Sequence, residues 1–309
     1  MKARVLVICG PTASGKSELA LRLARALDGE IVNADSMQVY RGMDIGTAKA
    51  TPEQREAIPH HLINVVNPDQ PFSAADFAAA ADAAIRDITA RGRRTIVVGG
   101  TGLYIRALLK GLVDSPGGAE EFRQGLHAEA LGSGNQALLE RLRQVDPEIA
   151  AQLHPNNLLR IIRALEVHHL TGIPLSRYQQ AHGFSEERYR SLQIGVRVER
   201  SLLYSRIDDR VERMLDEGLL DEVRGLLAAG YDTGLKALRS IGYKETCAYL
   251  AGECGLEQAR QLIKRNTRHY AKRQLTWFSA DRDILWLEYP GNFDTILQHA
   301  IEFYEIGET

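Results

Sequence analysis

Residues Gly10 to Ser17 read GPTASGKS and stand between the apolar run Val5 to Cys9 and a segment, Lys16 to Leu27, with Leu19, Leu23 and Leu27 on one helical stripe. A short continuous apolar run closed by glycine is what a strand buried on both faces looks like, so the order is strand, loop, helix. Few folds accept that order with this loop. The complete G-x-x-x-x-G-K-S spacing makes the loop a holder of phosphate. Its glycines let backbone N–H groups close round an anion, the helix start adds partial positive charge, Lys16 supplies a point charge, and the Ser17 hydroxyl can ligate Mg²⁺. Gly10, Pro11, Thr12, Ala13, Ser14, Gly15, Lys16 and Ser17 are therefore the candidate phosphate-binding set. The spacing does not say whose phosphates they hold.

The rest of the chain extends the pattern. Ile31-Val32 reads as a second strand ending at Asn33-Ala34-Asp35, Ala74 to Ala90 as an Ala-rich helix stopped before Gly92, and Thr95 to Val98 as a β-branched strand entering Gly99-Gly100-Thr101. This alternation predicts an α/β fold with a doubly wound parallel sheet, whose ligands bind beyond the carboxyl ends of the strands. Three segments should meet there: Gly10 to Ser17, Asp35 to Gln38, and Gly99 to Tyr104. A carboxylate at Asp35 could ligate Mg²⁺, accept a proton from a nucleophile or cap a turn. Asp44 lies further from a strand end and reads as structural.

After Leu112 a Pro/Gly-rich stretch, Asp114 to Gly118, opens a region of helical periodicity reaching about Gln180. The expected division is a core of residues 1–113 and 190–309 with a helical insertion at 114–189. Leu192 to Val198 reads as a strand returning to the sheet, Ser201 to Ala229 as one or two helices, Leu256 to Phe278 as another, and Leu285 to Leu287 as a last strand. With 309 residues, 44% of them apolar, the chain can fill a large domain and a smaller one.

A net charge of −2 gives no global sign of a nucleic-acid partner, so any such partner must be argued locally. Lys264, Arg265, Arg268, Lys272 and Arg273 crowd ten residues without an acid, with 264, 268 and 272 on one helical face. Arg239 and Lys244 flank an Ile-Gly-Tyr turn, and Arg141, Arg143, Arg160, Arg163 and Arg177 lie in the insertion. A solvated basic helix with core aromatics explains the first cluster; two basic regions beside a phosphate loop suggest an RNA clamp. His60-His61 and His168-His169 lack zinc-site spacing and read as structural. Cys9, Cys247 and Cys254 form no even framework, which suits free thiols in a reducing compartment. With no apolar stretch of transmembrane length, a soluble, cytoplasmic protein is expected, and a monomer is the default.

Taken together, GPTASGKS, ADSMQVYRGMDIGTAK (34–49), PHHLI (59–63), GGTGLY (99–104), RIIRALEV (160–167), IDDRVERML (207–215), IGYKE (241–245) and YAKRQLTWF (270–278) resemble the blocks of the tRNA dimethylallyltransferase family, in order and over nearly the whole chain. The resemblance implies a P-loop NTPase-like fold turned to an isoprenoid: the loop would hold the pyrophosphate of dimethylallyl pyrophosphate, and no nucleotide would be consumed. It also implies prenyl transfer to N6 of the adenosine immediately 3′ of the anticodon, with Asp35 as general base and Lys16, Arg210 and Mg²⁺ at Ser17 stabilising the leaving group. Asp35, Ser36, Met37, Gln38, Thr101, Arg123, Leu159, Arg160, Ile161, Ile162 and Arg163 match tRNA-contacting positions, to which Arg239, Lys244, Lys272 and Arg273 add from the basic clusters. The target adenine would be flipped into a channel between core and insertion. Ser115 to Gly118 and Ser279 depart from the family pattern, and the C-terminal zinc finger of eukaryotic members is missing, which makes the resemblance one to bacterial members. A phosphotransferase acting on a small hydroxyl substrate, or a nucleotide-regulated RNA-binding module, would share the loop but leave the basic helix or Asp35 without a use.

Overall fold

The computed structural model describes residues 2–113, 115–183 and 186–305. In chain order the elements are β1 (Arg4–Cys9), α1 (Lys16–Ala26), β2 (Gly29–Asn33), α2 (Pro52–Ala57), β3 (His60–His61), α3 (Ala74–Ala90), β4 (Arg94–Gly99) and α4 (Gly102–Lys110). Five helices follow: α5 (Glu120–Ser133), α6 (Asn135–Val145), α7 (Pro147–Ala150), α8 (Leu158–Thr171) and α9 (Leu175–His182). The chain then returns through β5 (Arg190–Arg197), α10 (Arg200–Asp216), α11 (Leu219–Ala228), α12 (Tyr243–Leu250), α13 (Leu256–Ser279), β6 (Ile284–Glu288) and α14 (Phe293–Glu305).

Six strands form one sheet in the order β3-β2-β4-β1-β5-β6, with every pair parallel. Along β1 the side chains alternate between two cores. Val5, Val7 and Cys9 pack with α3, α4 and helices α10 to α13; Leu6 and Ile8 pack with α1 and α14. Both faces of the sheet are covered, which is why its strands read as unbroken apolar runs rather than alternating ones. The strand order reverses beside β1, since β1 leads across β4 to β2 whereas β5 lies on its other flank; a crevice at the carboxyl ends follows.

The chain divides into two compact units, 1–109 with 187–309 and Lys110–Glu186. The expected boundaries of 114 and 189 differ from these, and Asp114 itself lies outside the described residues. Arg188 and Tyr189 stay with the sheet unit because Arg188 N donates to Leu109 O at 3.1 Å and both side chains bond to Asp82. Gly111 packs against His182 and Glu186 within the smaller unit. That unit is all helical, with Leu126, Leu138, Leu142, Ile161 and Leu165 at its centre. The segment 201–229 forms two helices: Gly218, at φ 103°, starts α11 after α10 has ended. β3, α2, α4, α12 and α14 were not expected; β3, at two residues, is too short to show a period.

At the amino end of the sheet Glu30 is buried, yet its carboxylate accepts from Arg91 and meets His61 Nε2 at 2.7 Å. His61 and His60, the latter with Nδ1 2.7 Å from Ile58 O, therefore serve local structure. The Arg91 guanidinium, reinforced by His61 and opposed by burial, holds the Glu30 carboxyl down to about 2. A carboxyl depressed on folding contributes stability above its unfolded value and loses it as pH falls toward the folded one. Glu30→Gln should therefore cost about 1–3 kcal/mol in urea unfolding at pH 7. The gap to wild type should close steadily below pH 4.5, and a gap unchanged at pH 3 would contradict it.

Candidate active site

The loop after β1 closes with Gly10, Ala13 and Gly15 at φ 144°, 63° and 93°, a left-handed bend that turns successive amides inward. The amides of Gly15, Lys16 and Ser17 have no hydrogen-bond partner among the described residues, as expected at a helix start waiting for an anion. Lys16 Nζ donates to Pro11 O at 3.1 Å, and the exposed Ser17 hydroxyl meets no described partner. Ser14 Oγ is buried without a hydrogen-bond partner among the described residues.

Gln274 ties this loop to the next strand end. Its Oε1 accepts from Thr12 N at 2.8 Å and its Nε2 donates to Gly100 O at 2.9 Å, with the side chain only 5% exposed. At the rim of β2, Asp35 Oδ1 accepts from Met37 N at 2.8 Å and more loosely from Gln38 N at 3.4 Å, so one oxygen caps the turn. Oδ2 takes no described partner. Thr101 Oγ1 accepts from Ser36 N at 3.0 Å, and Thr101 N donates to Ala34 O at 3.2 Å.

These rims surround a cavity of about 410 Å³. Thr12, Asp35, Ser36 and Met37 line one side; Arg210, Ile207, Val211 and Met214 of α10 line another; Arg239 to Lys244, Tyr270 and Arg273 complete it. Asp35, Arg210, Arg239, Lys244 and Arg273, chosen from distant parts of the sequence, share this wall. Lys272 is exposed and does not line it. Lys16 and Arg210 are half-buried and feel each other: burial first, and the Arg210 charge next, push the Lys16 ammonium down to about 8 against the pull of Asp35. Burial also lowers Arg210, again with Asp35 opposing. Burial and the Asp35 charge raise the Tyr270 phenol, with neighbouring Thr101, Arg273 and Gln274 opposing. The site thus carries more positive than negative charge in a poorly solvated place, which is the preparation an anionic ligand needs.

A model of the family described as IPP transferase matches residues 38–281. The chain belongs to that family. Among its relatives, tRNA dimethylallyltransferase 1 of Pelobacter propionicus is 69% identical over 98% of both chains, and the tRNA dimethylallyltransferase of Geobacter metallireducens is 59% identical over 98% of each. A crystal structure of the full-length tRNA isopentenylpyrophosphate transferase of Bacillus halodurans shares 41% identity and a TM-score of 0.73, covering 99% of this chain and 98% of that one. A eukaryotic dimethylallyltransferase acting on tRNA superposes with a TM-score of 0.80 at 30% identity, over 97% of this chain and 78% of that one. The P-loop NTPase-like fold of the IPP transferase family, expected from the motifs, is the fold observed here.

Other expected positions fall differently. In the helical unit Leu159 and Arg160 are exposed, whereas Ile161 and Ile162 are buried at 0% and 2%, so their side chains serve the core. Arg123 and Arg163 both bind the buried carboxylate of Glu166, at 2.9 and 2.7 Å. On α13, Lys264 pairs with Glu212 and Arg268 with Asp208, both acids on α10. Two of the three residues on the basic face, 264 and 268, therefore belong to a seam between helices. Asp44, held by Lys49 Nζ at 2.6 Å, is structural as read. Sequence reasoning missed Gln274, which looks like one more polar residue of a basic helix, and Glu222, discussed below.

Because Gln274 joins two rims by a single amide, Gln274→Ala should leave the fold intact but weaken binding of inorganic pyrophosphate about tenfold, with Gln274→Glu worse than Gln274→Asn at Gly100 O. Isothermal titration would measure this; unchanged affinity would show that the loop holds its shape alone.

Proposed function

We propose that this chain transfers the dimethylallyl group of dimethylallyl pyrophosphate to N6 of the adenosine immediately 3′ of the anticodon in tRNA, releasing pyrophosphate. The observation that carries the reading is that one cavity wall brings Asp35 together with the half-buried cation Arg210, itself coupled to Lys16 of the phosphate loop. The names of the relatives, tRNA dimethylallyltransferases at up to 69% identity among those compared, support it.

The chemistry follows from the groups. The lone pair of an exocyclic adenine amine is delocalised into the ring, so attack gains from a carboxylate that takes the proton as the new bond forms; Asp35 Oδ2 is free for that role while Oδ1 keeps the turn. N6 bonds to C1 of the dimethylallyl group, the C1–O bond breaks with its electron pair on oxygen, and the N6 proton passes to Asp35. Charge then grows on the pyrophosphate, which the loop amides, Lys16 and Arg210 stabilise. Ser17, exposed at the start of α1, fits a Mg²⁺ ligand, and the ion would supply further neutralisation of the pyrophosphate. The adenine must leave its stack to reach the cavity, at a cost of a few kcal/mol offset by pocket contacts. Ser36, Met37, Gln38, Thr101, Arg239, Lys244, Lys272 and Arg273, with Leu159 and Arg160 of the helical unit, are the proposed contacts to the anticodon stem-loop. The enzyme is proposed to act as a monomer in the cytoplasm; no helix among the described residues is long and apolar enough to cross a membrane.

The first test incubates the chain and Mg²⁺ with unmodified tRNA and either prenyl-labelled dimethylallyl pyrophosphate or γ-labelled ATP. Prenyl label should enter the RNA and ATP should stay intact; turnover of ATP alone would point to a phosphotransferase. Asp35→Ala should lower kcat at least about 100-fold with little change in tRNA affinity, and near-normal turnover would remove Asp35 from proton transfer. Because burial and the Arg210 charge push the Lys16 ammonium down to about 8, kcat/KM for dimethylallyl pyrophosphate should fall as pH rises past that value. Lys16→Arg should move this limb upward, and an identical limb in that variant would assign it to another group.

A further inference from the structure

Residues Met43 to Lys49 form a loop that reaches the cavity wall at Gly46 and Thr47 and is held from behind by a residue that does not line it. Glu222, on α11, accepts three consecutive amides of this loop: Asp44 N at 2.8 Å and Ile45 N at 2.7 Å on Oε2, and Gly46 N at 3.1 Å on Oε1. Consecutive inward amides make an anion-binding concavity, here filled by the protein's own carboxylate. Oε1 also accepts the Tyr243 hydroxyl at 2.5 Å, and the buried Tyr243 ring lies flush on Gly46, where a Cβ would come within 2.5 Å of it. The next residue turns the other way. Thr47 O accepts Arg210 Nη2 at 3.2 Å and Gln38 Nε2 at 3.1 Å, while Gln38 N leans on Asp35 Oδ1. Lys49 Nζ fastens the far end, donating to Tyr40 O, Asp44 Oδ1 and Asn64 Oδ1.

We infer that Glu222 is a positioning residue for the reaction: through the loop it fixes the Thr47 carbonyl, and through that carbonyl it aims the Arg210 guanidinium at the leaving pyrophosphate. Arg210 needs such an anchor. It is a long side chain, half-buried and repelled by neighbouring cations, and the Thr47 carbonyl is the one hydrogen-bond acceptor given to its guanidinium among the described residues. A neutral amide at position 222 would offer one acceptor where four donors converge, so the loop would relax and Arg210 with it. Glu166 shows the contrast: it too caps backbone amides, of Gly118 and Ala119, but its partners Arg123 and Arg163 belong to the helical unit and lead to no cavity residue.

The inference rests on the prenyl-transfer reading for its kinetic arm, and a binding arm separates the two. With the full chain and Mg²⁺, Glu222→Gln should lower the single-turnover rate of prenyl transfer about tenfold while the KM for tRNA moves less than twofold. In an Arg210→Ala background the same substitution should cost less than threefold, because the group through which it acts is gone. Titration with inorganic pyrophosphate should show the same non-additive pattern without any transfer. Tyr243→Phe, which removes one donor and keeps the ring, provides a milder version, with a several-fold loss that disappears without Arg210. Equal losses in both backgrounds, no loss from either variant, or a loss confined to the KM for tRNA would overturn the inference. A wild-type chain that binds pyrophosphate with the expected coupling but transfers no prenyl label would instead sink the proposed function and leave the positioning role standing.

Discussion

The carboxyl ends of β2 and β4 approach so closely that only glycine fits between them: a Cβ on Gly99 would lie 2.1 Å from Ala34 O. That approach lets Thr101 N reach Ala34 O and Thr101 Oγ1 hold Ser36 N, which sets the turn carrying Asp35. Gln274 then spans from Gly100 to the phosphate loop after β1. The carboxylate, the hydroxyl and the phosphate-loop amides are therefore related through short hydrogen bonds to backbone groups at the carboxyl end of the sheet. Precision of this kind, resting on strand ends rather than on free loops, is what charge-stabilising chemistry requires.

Electrostatics complete the arrangement. Arg210 lines a cavity with Asp35 as the one carboxylate on its wall, and Lys16 feels both charges. The imbalance costs free energy in the empty protein and is relieved by an anion, so part of the binding energy of an anionic ligand is already stored as mutual repulsion. The same repulsion explains why backbone carbonyls, Pro11 O for Lys16 and Thr47 O for Arg210, hold the two cations when no ligand does.

Much of this was legible in the sequence, and the limits have physical causes. β1 and β4 were readable because a parallel strand buried on both faces is an uninterrupted apolar run, and the rim segments because glycine or Asp follows each run. Asp35 was placed, though its two uses could not be separated until one oxygen was seen on the turn and the other without a partner. Glu222 left no trace: one acid on an amphipathic helix carries no mark of the distant loop it caps. Gln274 was hidden by its neighbours, since burial of one polar residue amid five basic ones depends on which way the helix faces. Family resemblance aligned Ile161 and Ile162 with RNA contacts, whereas their side chains fill a core.

The seam between α10 and α13 has a consequence for how the molecule looks to a polyanion. Lys264 and Arg268 already have carboxylate partners in Glu212 and Asp208, so an RNA backbone approaching α13 would displace condensed counterions chiefly through Arg265, Lys272 and Arg273. The logarithmic salt slope contributed by this helix would correspond to about three charges rather than the five in its sequence, and its grip would be correspondingly less sensitive to ionic strength. A surface that meets RNA with few net charges can let go of it after each turnover, and the paired residues keep the helix seated on its neighbour whether RNA is present or not.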